Sequence, residues 1–108
     1  SARHGFNVEV SRFYLGLVQS QTQEWAKAEA SFKETIKGGV EELRPAAHYY
    51  LAQVYFKMGS PSDGFGNLID AKRKAQKYID REDVQPESKK MAEQVRQASD
   101  ATLAPFDR

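Results

Sequence analysis

The chain has 108 residues, which suffice for one small hydrophobic core but not for two independent domains. Sixteen Lys and Arg residues against fifteen Asp and Glu residues give a net charge of +1, so no overall field draws the chain to nucleic acid or to an anionic membrane. The lack of cysteine excludes disulfides, thiolate catalysis and thiolate metal sites, and leaves both the cytoplasm and the periplasm open as the compartment of a soluble domain. No apolar run approaches the roughly 20 residues that span a bilayer. Because the chain starts at Ser1 and not at an initiator Met, we expect it to be a fragment of a longer protein.

Two amphipathic helices are predicted in the first third of the chain. The first covers about residues 8–21 and is expected to direct Leu15 and Val18 toward the core. The second covers about residues 24–37 and ends at Gly38, since glycine commonly follows the last residue of a helix. The apolar stripe of this second helix consists of Ala28, Phe32, Thr35 and Ile36.

Proline residues predict where the third and fourth helices begin. Pro45 opens the third helix at a position where its missing N–H costs no hydrogen bond. Pro61 opens the fourth helix, with Ser60 as its N-cap, and this helix is expected to reach about residue 81. The apolar stripes comprise Ala47, Leu51, Val54, Tyr55 and Met58 in the third helix and Gly64, Leu68, Ala71, Ala75 and Tyr78 in the fourth.

A fifth helix is predicted from Pro86 to about residue 103, and its apolar face is thin. That face is expected to consist of Met91, Val95, Ala98 and Leu103, among many charged residues. A thin apolar stripe on a terminal helix is typical of a capping element.

The sequence also repeats itself. Residues 13–18, Phe-Tyr-Leu-Gly-Leu-Val, return 36 residues later as residues 49–54, Tyr-Tyr-Leu-Ala-Gln-Val. Self-similarity at such a period marks helical units that bury their apolar faces only by stacking on one another. The repeat therefore divides the single domain into a first unit at residues 8–37, a second at 44–81 and a cap at 86–103.

The repeated residues resemble the tetratricopeptide repeat, a helix-turn-helix unit whose pattern joins a Leu-Gly pair to a later Ala-x-x-x-Phe. The matching residues are Leu15-Gly16, Glu24-Trp25, Ala28 and Phe32 in the first unit, and Leu51-Ala52, Tyr55, Gly64 and Leu68 in the second. The chain departs from the family pattern at Arg12, Gln19 and Val40. The resemblance covers nearly the whole chain as about two repeats and a half repeat.

The resemblance implies an all-α fold in which antiparallel helix pairs stack as a short right-handed superhelix, with a binding groove on its concave face. The groove positions would be Phe13, Tyr14, Leu17, Gln21, Tyr49, Tyr50, Gln53, Phe56 and Lys57, together with Val10 and Ala46, and the rim positions Lys89, Lys90, Glu93 and Arg96. Aromatic side chains are enriched at binding hot spots, so an extended or helical peptide of another protein is the expected ligand. The carboxylate clamp of chaperone-binding relatives is absent, because Phe13, Leu17, Tyr49 and Gln53 occupy its positions.

Other interpretations remain open. The aromatic side chains could be buried against further helices, which would leave no groove. The aromatic face could drive self-association, or the domain could belong to a longer repeat array. A loose similarity also extends to the tetratricopeptide chaperones of bacterial secretion systems.

Small residues point to close helix crossings independently of any family. Gly16 and Ala52 on the first helix of each unit, and Ala28 and Gly64 on the second, lie where larger side chains would hold the backbones apart. Phe32 is expected to fill the space beside the first crossing and Leu68 the space beside the second.

Nothing in the sequence predicts catalysis, a cofactor or a metal site. The chain lacks metalloprotease, phosphate-loop and nucleophile-elbow motifs, and His48 is expected to be a packing residue, so we do not expect an enzyme. The basic run of Lys72, Arg73, Lys74 and Lys77 is expected to be a solvated helix face, with contact to nucleic acid as the less favoured alternative because Asp80, Glu82 and Asp83 follow it.

Overall fold

The computed structural model describes the backbone of residues 2–106 and the side chains of residues 7–106. Over this range all regular secondary structure is helical, without a β-strand. The five α-helices are α1 (Ala2–Gln21), α2 (Trp25–Lys37), α3 (Arg44–Lys57), α4 (Pro61–Ile79) and α5 (Pro86–Leu103), with short 3-10 helices at Glu41–Leu43 and Ala104–Phe106. The prediction of an all-α fold with five helices is confirmed for the described residues.

The main difference in helix bounds lies at α1, which begins six residues before the predicted start. No proline interrupts residues 2–8, so the backbone hydrogen bonds of the helix continue through them. Prolines do fix the starts of α3, α4 and α5. Pro45, Pro61 and Pro86 each stand at the first or second position of their helices, where the absent N–H is not needed.

Each helix packs mainly on its neighbours in the chain. α2 lies against both α1 and α3, and α4 lies against both α3 and α5, whereas α1 touches α3, and α3 touches α5, only lightly. Two polar contacts tie the 3-10 helix before α3 to later parts of the chain. Arg81 pairs with Glu41, and the Ser88 hydroxyl donates to Glu42 at 3.1 Å.

The main hydrophobic core lies between α1, α2 and α3, and α4 adds buried residues that pack against α3. The predicted stripes of α2, α3 and α4 are largely confirmed, since their central members are fully or almost fully buried. These buried residues are Ala28, Phe32, Thr35, Ala47, Leu51, Val54, Leu68, Ala71 and Ala75. Met58 is the exception, because it lies at the end of α3 and is exposed.

The predicted faces of the first and last helices are wrong in part. Leu15 and Val18 of α1 were expected in the core but are exposed, because the neighbours of α1, which are α2 and α3, lie on its other side. In α5, Met91 is exposed, and the helix meets α4 through the small residues Ala92 and Ser99 instead. Small side chains let the two backbones approach closely, so this face is buried although it is less hydrophobic.

The glycine positions confirm that the paired helices cross closely. A Cβ atom built on Gly16 would lie 2.7 Å from a ring carbon of Phe32, and one on Gly64 would lie 2.6 Å from a ring carbon of Phe56. Real Cβ atoms do not tolerate such distances, so only glycine fits at these points without displacing an aromatic ring. The sequence placed Leu68 beside the second crossing. Leu68 is fully buried there, but the side chain that covers Gly64 is Phe56.

Candidate functional site

Four aromatic side chains of α1 and α3 are linked by ring contacts, and we call the three tyrosines among them, Tyr14, Tyr49 and Tyr50, the aromatic surface. The contacts run from Tyr14 to the buried Phe13, then to Tyr50 and Tyr49, and are edge-to-face with centroid distances of 5.7, 5.9 and 5.3 Å. Tyr14 is 59% exposed and Tyr50 is 37% exposed, whereas Tyr49 is partly buried. These rings offer apolar area and polar hydroxyl tips to solvent at the same place.

The aromatic surface is supported from below by the core. Phe32 is fully buried and lies 6.0 Å from the Phe13 ring and 6.1 Å from the Tyr50 ring, with which it is nearly parallel. Phe13 is itself buried, so it belongs to the core and not to an open groove. Its ring holds the rings of Tyr14 and Tyr50 in place.

The remaining predicted groove residues do not extend the same strip. Leu17 is partly buried against the core, and Gln21, Gln53 and Lys57 are exposed polar side chains. Phe56 turns to α4, where its ring lies 5.1 Å from Phe65, and Phe65 in turn lies 4.9 Å from Phe106. The aromatic residues of the two units therefore divide into two clusters.

The predicted rim residues lie on α5, which does not border the aromatic surface. α5 rests mainly on α4 and touches α3 only lightly. Arg96 likewise faces α4, because its guanidinium donates to the Gln76 side chain of that helix at 2.9 Å. Lys90 and Glu93 are exposed, and Lys89 is partly buried.

A concave region, which sequence reasoning missed, lies between α4, α5 and the C-terminal 3-10 helix. We call it the C-terminal groove. It encloses about 800 Å³ and is lined by Ile69, Lys72, Arg73, Gln76, Lys77, Asp80, Asp100, Leu103, Ala104 and Phe106. Ile69 and Phe106 are exposed, and an ion pair of 2.7 Å joins Lys72 to Asp100 across the groove. The sequence offers one signal for this groove, because Ile69 is a hydrophobic residue outside the predicted apolar stripe of α4 and close to the basic run.

The basic run of α4 is divided between two surroundings. Lys72, Arg73 and Lys77 are exposed and line the C-terminal groove, where Arg73 also lies 4.0 Å from Asp70. Lys74 is partly buried on the side of α4 that faces α3. A single solvated face therefore describes only part of the run, since successive residues of a helix point in different directions.

His48 is a packing residue, as the sequence predicted. It is buried, and its Nδ1 lies 2.8 Å from Oδ1 of Asn67. Because that oxygen can only accept, Nδ1 carries the hydrogen, and Nε2 is left buried without a hydrogen-bond partner. Burial lowers the pKa of His48 below its ordinary value of 6.5, since the charged form loses more hydration than the neutral form.

The described residues lack two other kinds of feature, a metal site and a membrane-spanning helix. Within this part of the chain, no three His, Asp or Glu side chains are grouped so that they could hold a metal ion. None of the helices that the structure describes combines the length and the hydropathy needed to cross a bilayer.

Comparison of the chain with protein-family models, with curated proteins and with solved structures finds no match.

Proposed function

We propose that this chain is a tetratricopeptide-like repeat domain that binds a peptide or helix of another protein on its aromatic surface. The recurrence of residues 13–18 at residues 49–54 supports a repeat architecture. The packing of the helices supports it as well. In both pairs the second helix, α2 or α4, packs extensively on the helix that follows, whereas the first helix, α1 or α3, touches that following helix only lightly. In this proposal the domain acts as an adaptor or scaffold and carries out no reaction itself.

The observation that carries the proposal is the exposure of two tyrosine rings that pack on buried rings of the core. Tyr14 and Tyr50 are both in contact with Phe13, and Tyr50 also stacks on Phe32. Large side chains fixed in one position lose little conformational entropy on binding, which is why tyrosine is enriched at hot spots. Surface tyrosines that solvent alone surrounds have no such support.

Comparative capture from extracts of cells that make the protein tests the proposal. Tyr14→Ala and Tyr50→Ala should each retain helical circular dichroism and lose a partner that the unchanged protein retains. Met91→Ala is the matched control, because it truncates an exposed hydrophobic side chain on α5, away from the aromatic surface. If all variants capture the same proteins as the unchanged chain, the aromatic surface does not bind a partner.

A second candidate function is self-association or membership of a longer repeat array, and one comparison favours it. Leu15 and Val18 are 50% and 53% exposed, whereas Leu51 and Val54, at the corresponding positions of α3, are 2% and 1% exposed. α2 covers the face of α3 that carries Leu51 and Val54, but no helix among the described residues covers the face of α1 that carries Leu15 and Val18. A further helix or a second copy of the chain would bury these side chains.

Solution mass as a function of protein concentration separates the two candidates. Self-association through α1 predicts a mass that rises with concentration and returns to that of a monomer in Leu15→Glu. The adaptor function predicts a monomer at all concentrations, with Leu15→Glu leaving partner capture unchanged.

A further inference from the structure

A small pocket with an excess of positive charge lies where α3 begins and α4 ends, and we call it the basic pocket. It has a volume of about 310 Å³ and is lined by Glu41, Arg44, Pro45, Lys74, Lys77, Tyr78 and Arg81. It is separate from the aromatic surface and borders the C-terminal groove only through Lys77. No sequence motif pointed to it, because its residues come from two helices and the segments next to them.

The charges in the basic pocket are not balanced by the protein. Its lining holds four cationic side chains and one carboxylate. That carboxylate, Glu41, already pairs with Arg81, which also pairs with Asp83 at 2.9 Å. Arg44, Lys74 and Lys77 have no ion-pair partner among the side chains that the structure describes. For a chain with a net charge of +1, this is a marked local excess, and a concave site increases its effect on an anion.

Arg44 supplies the most specific signal. Its Nη2 donates to the backbone carbonyl of Gly38 at 2.7 Å, which fixes the position of the guanidinium. Its Nε is buried and has no hydrogen-bond acceptor in the protein. An unsatisfied buried donor on a charged group is costly, so a negative charge bound beside the guanidinium would stabilise the site.

Compensation of helix dipoles explains only part of this arrangement. Lys77 lies in the last turn of α4, where a cation stabilises the negative end of the helix. Arg44 lies at the opposite kind of terminus, the first residue of α3, where the dipole disfavours a cation. Its place beside Lys74 and Lys77 therefore needs another explanation.

We propose that the basic pocket binds a phosphate group, either of a small phosphorylated compound or of a phosphorylated side chain. A phosphate group carries up to two negative charges and several acceptor oxygens, and it suits an arginine fork flanked by two ammonium groups. The volume accommodates a phosphate with the atoms next to it. Glu41 and Asp83 border the site with negative charge, which disfavours the long backbone of a nucleic acid.

Amide chemical shifts of the isotope-labelled protein during titration test this inference. The two probes are inorganic pyrophosphate and N-acetyl-O-phosphoserine amide, with N-acetylserine amide as the control without phosphate. We expect saturable shifts of the residues that line the basic pocket with at least one phosphate probe, and none with the control. Tighter binding of pyrophosphate indicates a small-molecule ligand, whereas tighter binding of the phosphoserine probe indicates a phosphorylated chain.

Paired variants give the inference its sharpest test. Arg44→Gln combined with Lys74→Gln should weaken binding of the better probe about tenfold or more, since hydrogen bonds to charged groups contribute that much. The control combines Arg73→Gln with Lys90→Gln, which removes the same charge outside the pocket and should leave binding nearly unchanged. If the first variant unfolds, Lys77→Gln takes its place, because Lys77 is exposed. Shifts that do not saturate with either probe, or an equal loss of binding in pocket and control variants, would overturn the proposal.

Discussion

The helix pairs α1–α2 and α3–α4 have similar sequences and the same turn. In the first turn, the N–H of Glu24 donates to the carbonyl of Gln19 at 2.8 Å, and in the second, 36 residues later, the N–H of Ser60 donates to that of Tyr55 at 2.8 Å. The residue before the donor is left-handed in both turns, with φ of 63° at Gln23 and 79° at Gly59. The hydrogen-bond pattern that ends the first helix of each pair therefore repeats even where the amino acid does not.

The surroundings of the two pairs differ, and this difference is informative. α3 is covered by helices on both sides, whereas α1 has neighbours on one side only in the described part of the chain. Corresponding residues such as Leu15 and Leu51 are consequently exposed in one pair and buried in the other. A periodic apolar pattern indicates which residues are available for burial, but the neighbouring helices decide which are buried.

The largest expected effect contrasts these two leucines. Leu51→Ala should lower the free energy of unfolding by about 2–5 kcal/mol, because it opens a cavity in the core. Leu15→Ala should lower it by at most about 0.5 kcal/mol, because the side chain is half exposed. Denaturant unfolding of both variants measures the contrast, and equal losses would mean that α1 is covered on its outer side in solution.

Replacing the glycine at the helix crossing should lower the free energy of unfolding in both pairs. Gly16→Ala and Gly64→Ala should each cost about 1–3 kcal/mol, since the added methyl group meets the ring of Phe32 or Phe56. Gly66→Ala is the control, because it lies in the same helix as Gly64 with no atom near its added Cβ. It should stabilise the protein by roughly 0.5–1 kcal/mol through helix propensity. Gly16→Ala with an unchanged or higher melting temperature would contradict the close crossing.

Substitutions of the left-handed residues in the two turns should change the stability of the protein in opposite directions. Gln23→Gly should stabilise the protein by up to about 1 kcal/mol, because glycine adopts a left-handed conformation without the cost that a side chain imposes. Gly59→Ala should destabilise it by about 1 kcal/mol for the same reason. Thermal unfolding monitored by circular dichroism checks both changes. A loss of stability in Gln23→Gly would show that the Gln23 side chain supports the turn.

The smallest expected effect is the pH dependence that His48 introduces into the second pair. Its pKa is lowered in the folded state, so below about pH 6.5 the unfolded chain binds a proton that the folded chain resists. The free energy of unfolding should therefore decrease as the pH falls from 6.5 toward the lowered pKa, and remain constant above 6.5. Titration of the His48 imidazole by NMR gives the pKa directly. A value above 6.5 would mean that the ring is paired with a negative charge.

Much of the fold could be predicted from the sequence, because its signals are local. Prolines and glycines mark the helix ends, and the spacing of residues such as Phe32 and Leu68 indicates the buried faces of α2 and α4. The outward direction of Leu15 could not be predicted, because it depends on which helices surround α1.

The candidate site was less predictable than the fold, because ring orientations depend on tertiary packing. The sequence placed Phe13, Tyr14, Tyr50 and Phe56 on one face. Only packing determines that Phe13 lies beneath the tyrosines and that Phe56 turns to Gly64 and Phe65. The basic pocket was missed for a similar reason, since Arg44 and Lys74 are distant in sequence and meet only when α3 and α4 pack together.

Photo-crosslinking from two positions of α1 tests the central claim, that the protein binds its partner on the aromatic surface. A photoreactive phenylalanine derivative replaces either Tyr14, on the aromatic surface, or Leu15, the adjacent residue on the other exposed face. The account predicts that the probe at position 14 forms a cross-linked product with a different protein in extracts of cells that make this chain, and that Tyr50→Ala abolishes the product. If position 14 gives no product while position 15 cross-links the chain to a second copy of itself, the adaptor function is contradicted and self-association takes its place.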